Sequence, residues 1–366
     1  MNRLLVFVYD FDETSQVFSH QVEIVKMLAK HFDQVFVVTP RIGIKERGIY
    51  TLDPASKDSI VVIEGNFSRS VGFLSSIKSY FRILNVLRRI RFSSVFYFMT
   101  ETSAIYFGFY FFVRSCPQTL WYAHAHKSLR LILASIFMNS ICSSTKSSMP
   151  LKSRRVSLIG QMADPQLFPY SPKSLSKNLK LVHFGRFDES KNIGVLIQVL
   201  NRLIQEGIKA SLLVIGSPTT HKSRIYQSKI KQEFQDLIEV GVLKILPSQP
   251  RAEMRRFLSR CDVFIHAFQG SLDKTLIEST LMGLPVITLN QGYLNEFGTW
   301  NKSGDKVVLN FDFFLFQELI AMREINEVDL RREVDNRYQI ALREHSLDKW
   351  LSNLLLIIDK KSHCPK

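Results

Sequence analysis

The sequence predicts an α/β protein of two parallel-sheet domains, on three observations. Its 366 residues, 46% hydrophobic and 22% charged, are enough for two domains with cores of their own. Near-continuous apolar runs of strand length recur along the chain, as in strands buried on both faces. Helix-spaced stretches separate them, and strand–helix–strand order implies right-handed crossovers in a mostly parallel sheet.

The run LLVFVY at 4–9 is the first strand, followed by a polar loop at 10–16. Val22, Val25, Leu28 and Ala29 recur at helical spacing, and QVFVVT at 34–39 is a second strand ended by Pro40. Further strands are predicted at 59–64, 94–99 and 118–123, with a short one at 156–159. YSPKSLSK at 170–177 has the composition of a linker and sets the domain boundary. The second half repeats the pattern, with strands at 180–184, 211–215, 242–246, 263–267 and 286–289. Helices are predicted near 193–205, 224–240, 252–258 and 275–282, and at the end over 326–343 and 347–358. Two such halves predict two Rossmann-like domains facing a cleft: 1–170, a linker at 171–177, and 178–345. The helix and tail at 346–366 are expected to pack back on the first domain.

This composition excludes a disordered chain, a fibrous repeat and a small disulfide scaffold. Cys116, Cys142, Cys261 and Cys364 form no CxxC pair, which argues against a disulfide framework or a structural zinc and for a reducing cytoplasm. Acids interrupt the opening MNRLLVFVYDFDETS, unlike a secretory signal. The most apolar stretch, 104–113, is half the roughly 20 residues that a spanning helix needs. Net charge is +15, with an excess of nine cations before Ser171 and six after it. Such a surface suits a polyanion: nucleic acid, an anionic leaflet or a phosphorylated small molecule. No GxGxxG follows either opening strand, against a nicotinamide dehydrogenase. No helix-turn-helix, zinc-finger or RNP-like pattern supports a nucleic-acid role.

Three clusters sit where second-half strands end, the edge at which open α/β sheets bind ligands. GRFDESKN at 185–192 offers Gly185 for close backbone approach, and Arg186 and Lys191 beside a helix N-terminus that already favours an anion. It reads as a diphosphate clamp or, with about equal weight, as a solvated turn with two surface cations. Gly216-Ser217-Pro218 is a turn at a strand tip, and most such turns are only turns. GSLDKTLIE at 270–278 leads through a short helix into Gly283-Leu284-Pro285 and the next strand. The Glu278 carboxylate is suited to both hydroxyls of a ribose, although a lone helix Glu is usually a surface residue.

In combination, residues 179–289 resemble the donor-binding domain of GT-B glycosyltransferases, specifically the large retaining family four. That family shows G-R-x-x-x-x-K after the first strand of this domain, here Gly185-Arg186 through Lys191. It also shows an acid-x7-acid element leading into E-A-M-A-x-G-x-P-V-I, here ESTLMGLPVI at 278–287. CDVFI at 261–265 is similar to its A-D-V-F-V strand, and VSLIGQMADPQLF at 156–168 to its V-x-x-I-G-x-G-x-D-x-x-x-F segment before the linker. The resemblance implies a nucleotide-sugar donor whose diphosphate is held by Arg186 and Lys191, with Glu278 on the ribose. It places Thr275 and Leu276 near the diphosphate through backbone amides, and His124 of YAHAH close to the sugar. For His124 the alternative is a buried, hydrogen-bonded histidine.

The chain departs from the pattern at the first acid, where it has Gly270, with Asp273 or Lys274 as substitutes. Its first loop, DFDETS at 10–15, lacks the usual glycine pair. The Asp10/Asp12 pair superficially matches a metal-binding DxD, but GT-B enzymes generally use no such metal, so these acids are read as acceptor-side or structural. No metal or other cofactor is expected. A retaining reaction needs no protein base, because the leaving phosphate oxygen takes the acceptor proton; an inverting one would call on Asp12, Glu13 or His124.

SIKSYFRILNVLRRIRF at 76–92 interleaves five cations with apolar residues. It reads either as a basic amphipathic helix on an anionic leaflet or as a domain helix covering the sheet. The expected partners are therefore a nucleotide-sugar donor, a glycan or lipid-linked acceptor and an anionic membrane surface, without nucleic acid. The expected setting is the cytoplasm, peripheral on the inner face of the cell membrane, in surface-polysaccharide or glycolipid synthesis. The competing functions are a GT-B-fold sugar-nucleotide epimerase and a non-catalytic polyanion- or membrane-binding protein.

Overall fold

The computed structural model describes residues 2–15, 18–53, 55–65, 73–302 and 310–362. Gln16 of the predicted first loop, residues 303–309 and the tail 363–366 with Cys364 lie outside the described residues. The chain divides into two compact units. The first is Met1–Ser143, Met149–Leu158 and Ser352–Lys366; the second is Ser144–Ser148 and Ile159–Leu351. The division thus falls ahead of the linker-like stretch at 170–177. Tyr170 stacks on Tyr338 at 4.1 Å and Ser171 N–H donates to Met282 O, so this Pro- and Ser-rich run is packed within the second unit rather than standing between units.

The first unit carries a seven-stranded sheet: β1 Arg3–Phe7, β2 Gln34–Thr39, β3 Ile60–Glu64, β4 Ser94–Phe98, β5 Gln118–Trp121, β6 Ser140–Ser143 and β7 Val156–Leu158. Their order is β3-β2-β1-β4-β5-β6-β7, every pair parallel. β2 and β4 are buried throughout, in keeping with their largely apolar runs. Helix Phe73–Leu87 sends Ile83 and Leu87 into this core, with Tyr80, Leu84 and Val86 packed against it. This helix thus covers the sheet, as the domain-helix reading of 76–92 expects.

The second unit carries five parallel strands, β8 Leu179–Phe184, β9 Ala210–Ile215, β10 Leu243–Leu246, β11 Val263–His266 and β12 Val286–Thr288, ordered β10-β9-β8-β11-β12. Helix Ile193–Gln205 buries Ile193, Leu196, Ile197, Leu200 and Leu203, a 3.6-period stripe in which each such side chain contributes about 1.5–3 kcal/mol. The helix predicted over 224–240 is two, His221–Glu233 and Gln235–Glu239, broken where Phe234 leaves helical geometry (φ −115°, ψ 30°).

Candidate functional site

The strand order of the second sheet reverses between β8 and β11, and at such a reversal the crossovers leave in opposite directions and open a crevice at the strand C-termini. Gly185 follows β8 and Gly216 follows β9. A Cβ at position 216 would stand 2.1 Å from the Gly185 carbonyl oxygen, so the two tips touch through bare backbone. Phe187 N–H extends this contact to Ser217 O (3.1 Å).

Arg186 is exposed, with Asp188 as a charged neighbour. The Asp188 carboxylate accepts from the Ser190 amide (3.0 Å) and hydroxyl (2.7 Å), and these bonds first, Arg186 later, lower its pKa. They close the short turn Glu189–Lys191. Asn192 follows in the left-handed region (φ 49°) and donates Nδ2–H to Ala267 O (3.1 Å) just beyond β11. This turn carries Lys191 inward, where it is buried. It is not a surface cation.

The Lys191 ammonium pairs with Asp273 and lies 3.9 Å from the centre of the Phe268 ring. Asp273 Oδ2 is also 3.3 Å from His266 Nε2, and His266 Nδ1 is 3.0 Å from Thr288 Oγ1. Because an ionised Asp273 carboxylate can only accept, His266 Nε2 carries the proton that faces it. In the neutral ring Nδ1 then accepts from the Thr288 hydroxyl, whose oxygen also accepts the Asn290 amide (3.0 Å). Burial opposes ionisation of Asp273, but Lys191 and His266 outweigh it and hold the carboxyl well below the usual carboxylate range. Next to this cluster, burial and then the neighbouring His266 push His183 down to about 3, keeping it neutral.

Asp273 also caps helix Lys274–Leu281. Its Oδ1 accepts the Thr275 amide (3.3 Å) and its carbonyl accepts the Leu276 amide (3.1 Å). The two amides expected to face a diphosphate are therefore already engaged, and the Leu276 side chain lies in the core. One turn on, Glu278 is buried rather than on the surface. It pairs with Arg251 and lies 4.0 Å from Lys274. Burial raises its pKa against both cations. Glu278 Oε2, Thr275 Oγ1 and Ser279 Oγ are buried without a hydrogen-bond partner, and buried polar atoms of this kind are rare.

Gly270, where the resembled family has an acid, is explained by its neighbour. A Cβ there would stand 2.2 Å from Phe268 Cζ, and that ring covers Lys191. Asn290, fully buried after β12, holds the loop from below: its Nδ2 lies 3.2, 3.2 and 3.1 Å from the carbonyls of Phe268, Gly270 and Ser271.

The second unit thus holds together Gly185, Arg186, Lys191, Gly216, Asp273, Lys274, Thr275, Leu276 and Glu278. His124 belongs to the first unit, beyond the end of β5, where it is exposed and edge-on to Tyr122 (5.5 Å). Also there, Asp12 accepts from Thr14 (amide 2.8 Å, hydroxyl 2.6 Å) and from Arg41 (3.1 Å), while Glu13 pairs with Lys26 and, at 3.0 Å, Lys45. Burial foremost raises the pKa of Asp10; its Oδ1 is 3.8 Å from Arg41 Nε. Asp10 and Asp12 are engaged with the chain's own cation. Sequence reasoning missed Arg251, His266, Phe268 and Asn290. Only His266 left a signal there, a polar residue ending an otherwise apolar strand.

Comparison with known proteins bears on the fold that carries these residues. Residues 178–309 match the family of glycosyl transferases group 1. Over 138 residues the chain is 25% identical to the amylovoran biosynthesis glycosyltransferase AmsK of Erwinia amylovora, a match covering 36% of this chain and 32% of that protein. The chain thus spans about a third of the length of that curated relative. Among solved structures, a glycosyltransferase from Rickettsia africae ESF-5 aligns with TM-score 0.75 at 14% identity, over 100% of this chain and 99% of that one. Anabaena Alr3699/HepE, in complex with UDP and glucose, aligns with TM-score 0.72 at 13% identity, over 98% and 100%. The sucrose-phosphate synthase of Thermosynechococcus elongatus also gives 0.72 at 13%, over 98% and 99%. At such identities the structural likeness establishes the fold, which is GT-B.

Proposed function

We propose that this chain, GT-B by fold and group 1 glycosyl transferase across 178–309, moves a sugar from a nucleotide-sugar donor to a glycan or lipid-linked acceptor in surface-polysaccharide or glycolipid synthesis. The observation that carries this reading is the buried Lys191, held by Asp273 beside the Gly185 and Gly216 tips where the strand order reverses. Lys191 keeps further ammonium protons for a diphosphate, and the exposed Arg186 closes on it from outside. The Thr275 hydroxyl adds a donor at the helix start, and Glu278 Oε2 awaits ribose hydroxyls. The match to AmsK, named for amylovoran biosynthesis, supports a polysaccharide acceptor.

The acceptor oxygen bonds to the anomeric carbon as the carbon–oxygen bond to the diphosphate breaks. Fixed cations stabilise the charge that develops on the leaving group. In the retaining course we favour, the acceptor proton passes to the departing phosphate oxygen, so no protein base is needed. His124 stands as the sugar-side candidate. The unpaired thiols of Cys116, Cys142 and Cys261, the first two pushed up by burial to about 12 and the third to about 11, fit a cytoplasmic setting.

Thermal-shift measurement against UDP, GDP, ADP, CMP and their sugar conjugates tests this. A ligand at a hundredfold excess over its Kd adds about 2.7 kcal/mol of stability. One nucleotide should shift the protein selectively, and Arg186→Ala should abolish that shift while leaving the ligand-free midpoint nearly unchanged. A shift with none of them, or one indifferent to Arg186→Ala, overturns the donor site.

A further inference from the structure

We propose that the outer face of helices Glu101–Val113 and Leu129–Phe137, in the first unit, docks on an anionic phospholipid bilayer. Each helix turns one face inward: Ala104, Phe107, Gly108 and Phe111 from the first, Leu131 and Ala134 from the second. The opposite face of each is apolar as well. Phe109 is 60% exposed, Phe112 57%, and Val113 lies beside them; Leu129 is 78% exposed, with Leu133 and Ile136 along the same helix. Phe137 joins the two helices, edge-on to Phe109 and Phe112 (6.2 and 6.3 Å). Gly108 permits that approach, since a Cβ there would stand 2.9 Å from the Phe137 side chain. A folded domain rarely leaves so many large apolar side chains together in water unless something covers them.

Charge identifies what covers them. Between Glu64 and Asp164 the chain has a single carboxylate, Glu101, against thirteen lysines and arginines. Exposed cations stand at both ends of the helix pair: Arg114 at the end of the first, 4.9 Å from the Tyr110 ring, and Lys127 and Arg130 around the start of the second. An apolar face with cations at its ends, whose stems reach outward to headgroups, is the arrangement that settles at the boundary of an anionic leaflet. A nucleic acid would use the cations but leave the apolar helices in water. A second copy of the chain would bring like charge against like. The docking face is this helix pair, where the exposed large apolar side chains are most numerous; helix Phe73–Leu87 leaves Ile77 and Phe81 outward.

The inference stands apart from sugar transfer, and its test needs no donor. The full chain is sedimented with phosphatidylcholine vesicles, with and without phosphatidylglycerol. Binding should require phosphatidylglycerol and weaken as salt is raised. The double variant Phe109→Ser/Phe112→Ser should bind at least about tenfold more weakly with its unfolding midpoint retained, and Leu129→Ser/Ile136→Ser, on the other helix, should do the same. Absence of vesicle binding, indifference to phosphatidylglycerol, or unchanged binding in both variants overturns the proposal. So does a concentration-dependent dimer that either variant abolishes, which would assign the face to a second copy.

Discussion

Each unit pairs an acid with a cation in a loop that follows a parallel strand, and the two pairs are held in opposite ways. In the first unit Asp12 is buried but its partner Arg41 has 67% of its side-chain surface exposed. In the second, Lys191 and Asp273 keep only 7% and 17%. Arg41 lies largely in water, so the pair is screened and contributes little. Lys191 and Asp273 have left water together, and each depends on the other for compensation. The difference lies in where the cation sits, not in the acid. Adding an exposed cation to an acidic loop is a small change, whereas building the Lys191 pocket takes Asn192, Phe268, His266 and Asn290 as well.

The largest test of this contrast is Asp273→Ala, which strands a buried ammonium and removes the cap of helix Lys274–Leu281. Breaking a buried pair costs about 3–5 kcal/mol, read as a fall in the denaturation midpoint. The pH dependence follows from the depressed Asp273 carboxyl. The folded state binds that proton more weakly than the unfolded one, so this stabilisation is complete above the ordinary carboxylate range. It is lost as pH falls through the depressed value. Asp273→Asn should flatten the acid side of the stability profile, and an unchanged profile would place the acid sensitivity elsewhere. Of intermediate size is Gly270→Ala, whose methyl meets the Phe268 ring; overpacking of this kind costs about 1–3 kcal/mol. Phe268→Ala in the same chain should relieve it, and strict additivity in the double-mutant cycle would show that the ring is not the obstacle. The smallest effect is Arg41→Ala, at most about 1 kcal/mol in thermal unfolding. A larger loss would erase the distinction between the two loops.

Legibility in the sequence followed the same divide between local and assembled features. Helix Ile193–Gln205 was read to the residue because its apolar side chains repeat on one face. Strands such as Gln34–Thr39 were plain as unbroken apolar runs. β6 escaped because Ser140–Ser143 is four residues with serine at both ends. Helices Glu101–Val113 and Leu129–Phe137 escaped because they are apolar on both faces, and a moment-based reading needs a polar side to contrast. Within the candidate site, Gly185 through Lys191 and Asp273 through Glu278 are contiguous and could be read as segments. The Arg251 that pairs with Glu278 comes from 27 residues upstream, and Lys191 meets Asp273 across 82. No spacing rule joins such residues before the sheet does. The family pattern showed that position 270 was unusual, and only the Phe268 ring explains why.

The touching backbones of Gly185 and Gly216 fix what this site can tolerate in evolution. Every amino acid other than glycine at position 216 places a carbon within 2.1 Å of a carbonyl oxygen, so alanine is excluded there as firmly as tryptophan. In a saturation library position 216 should therefore read as all-or-none, without the graded response to side-chain size that core positions give. Gly48, with nothing within 4 Å of its would-be Cβ, should accept most residues. Variation at this candidate site among descendants of the chain must then be written in the side chains around position 216, because that tip itself has no alphabet to vary.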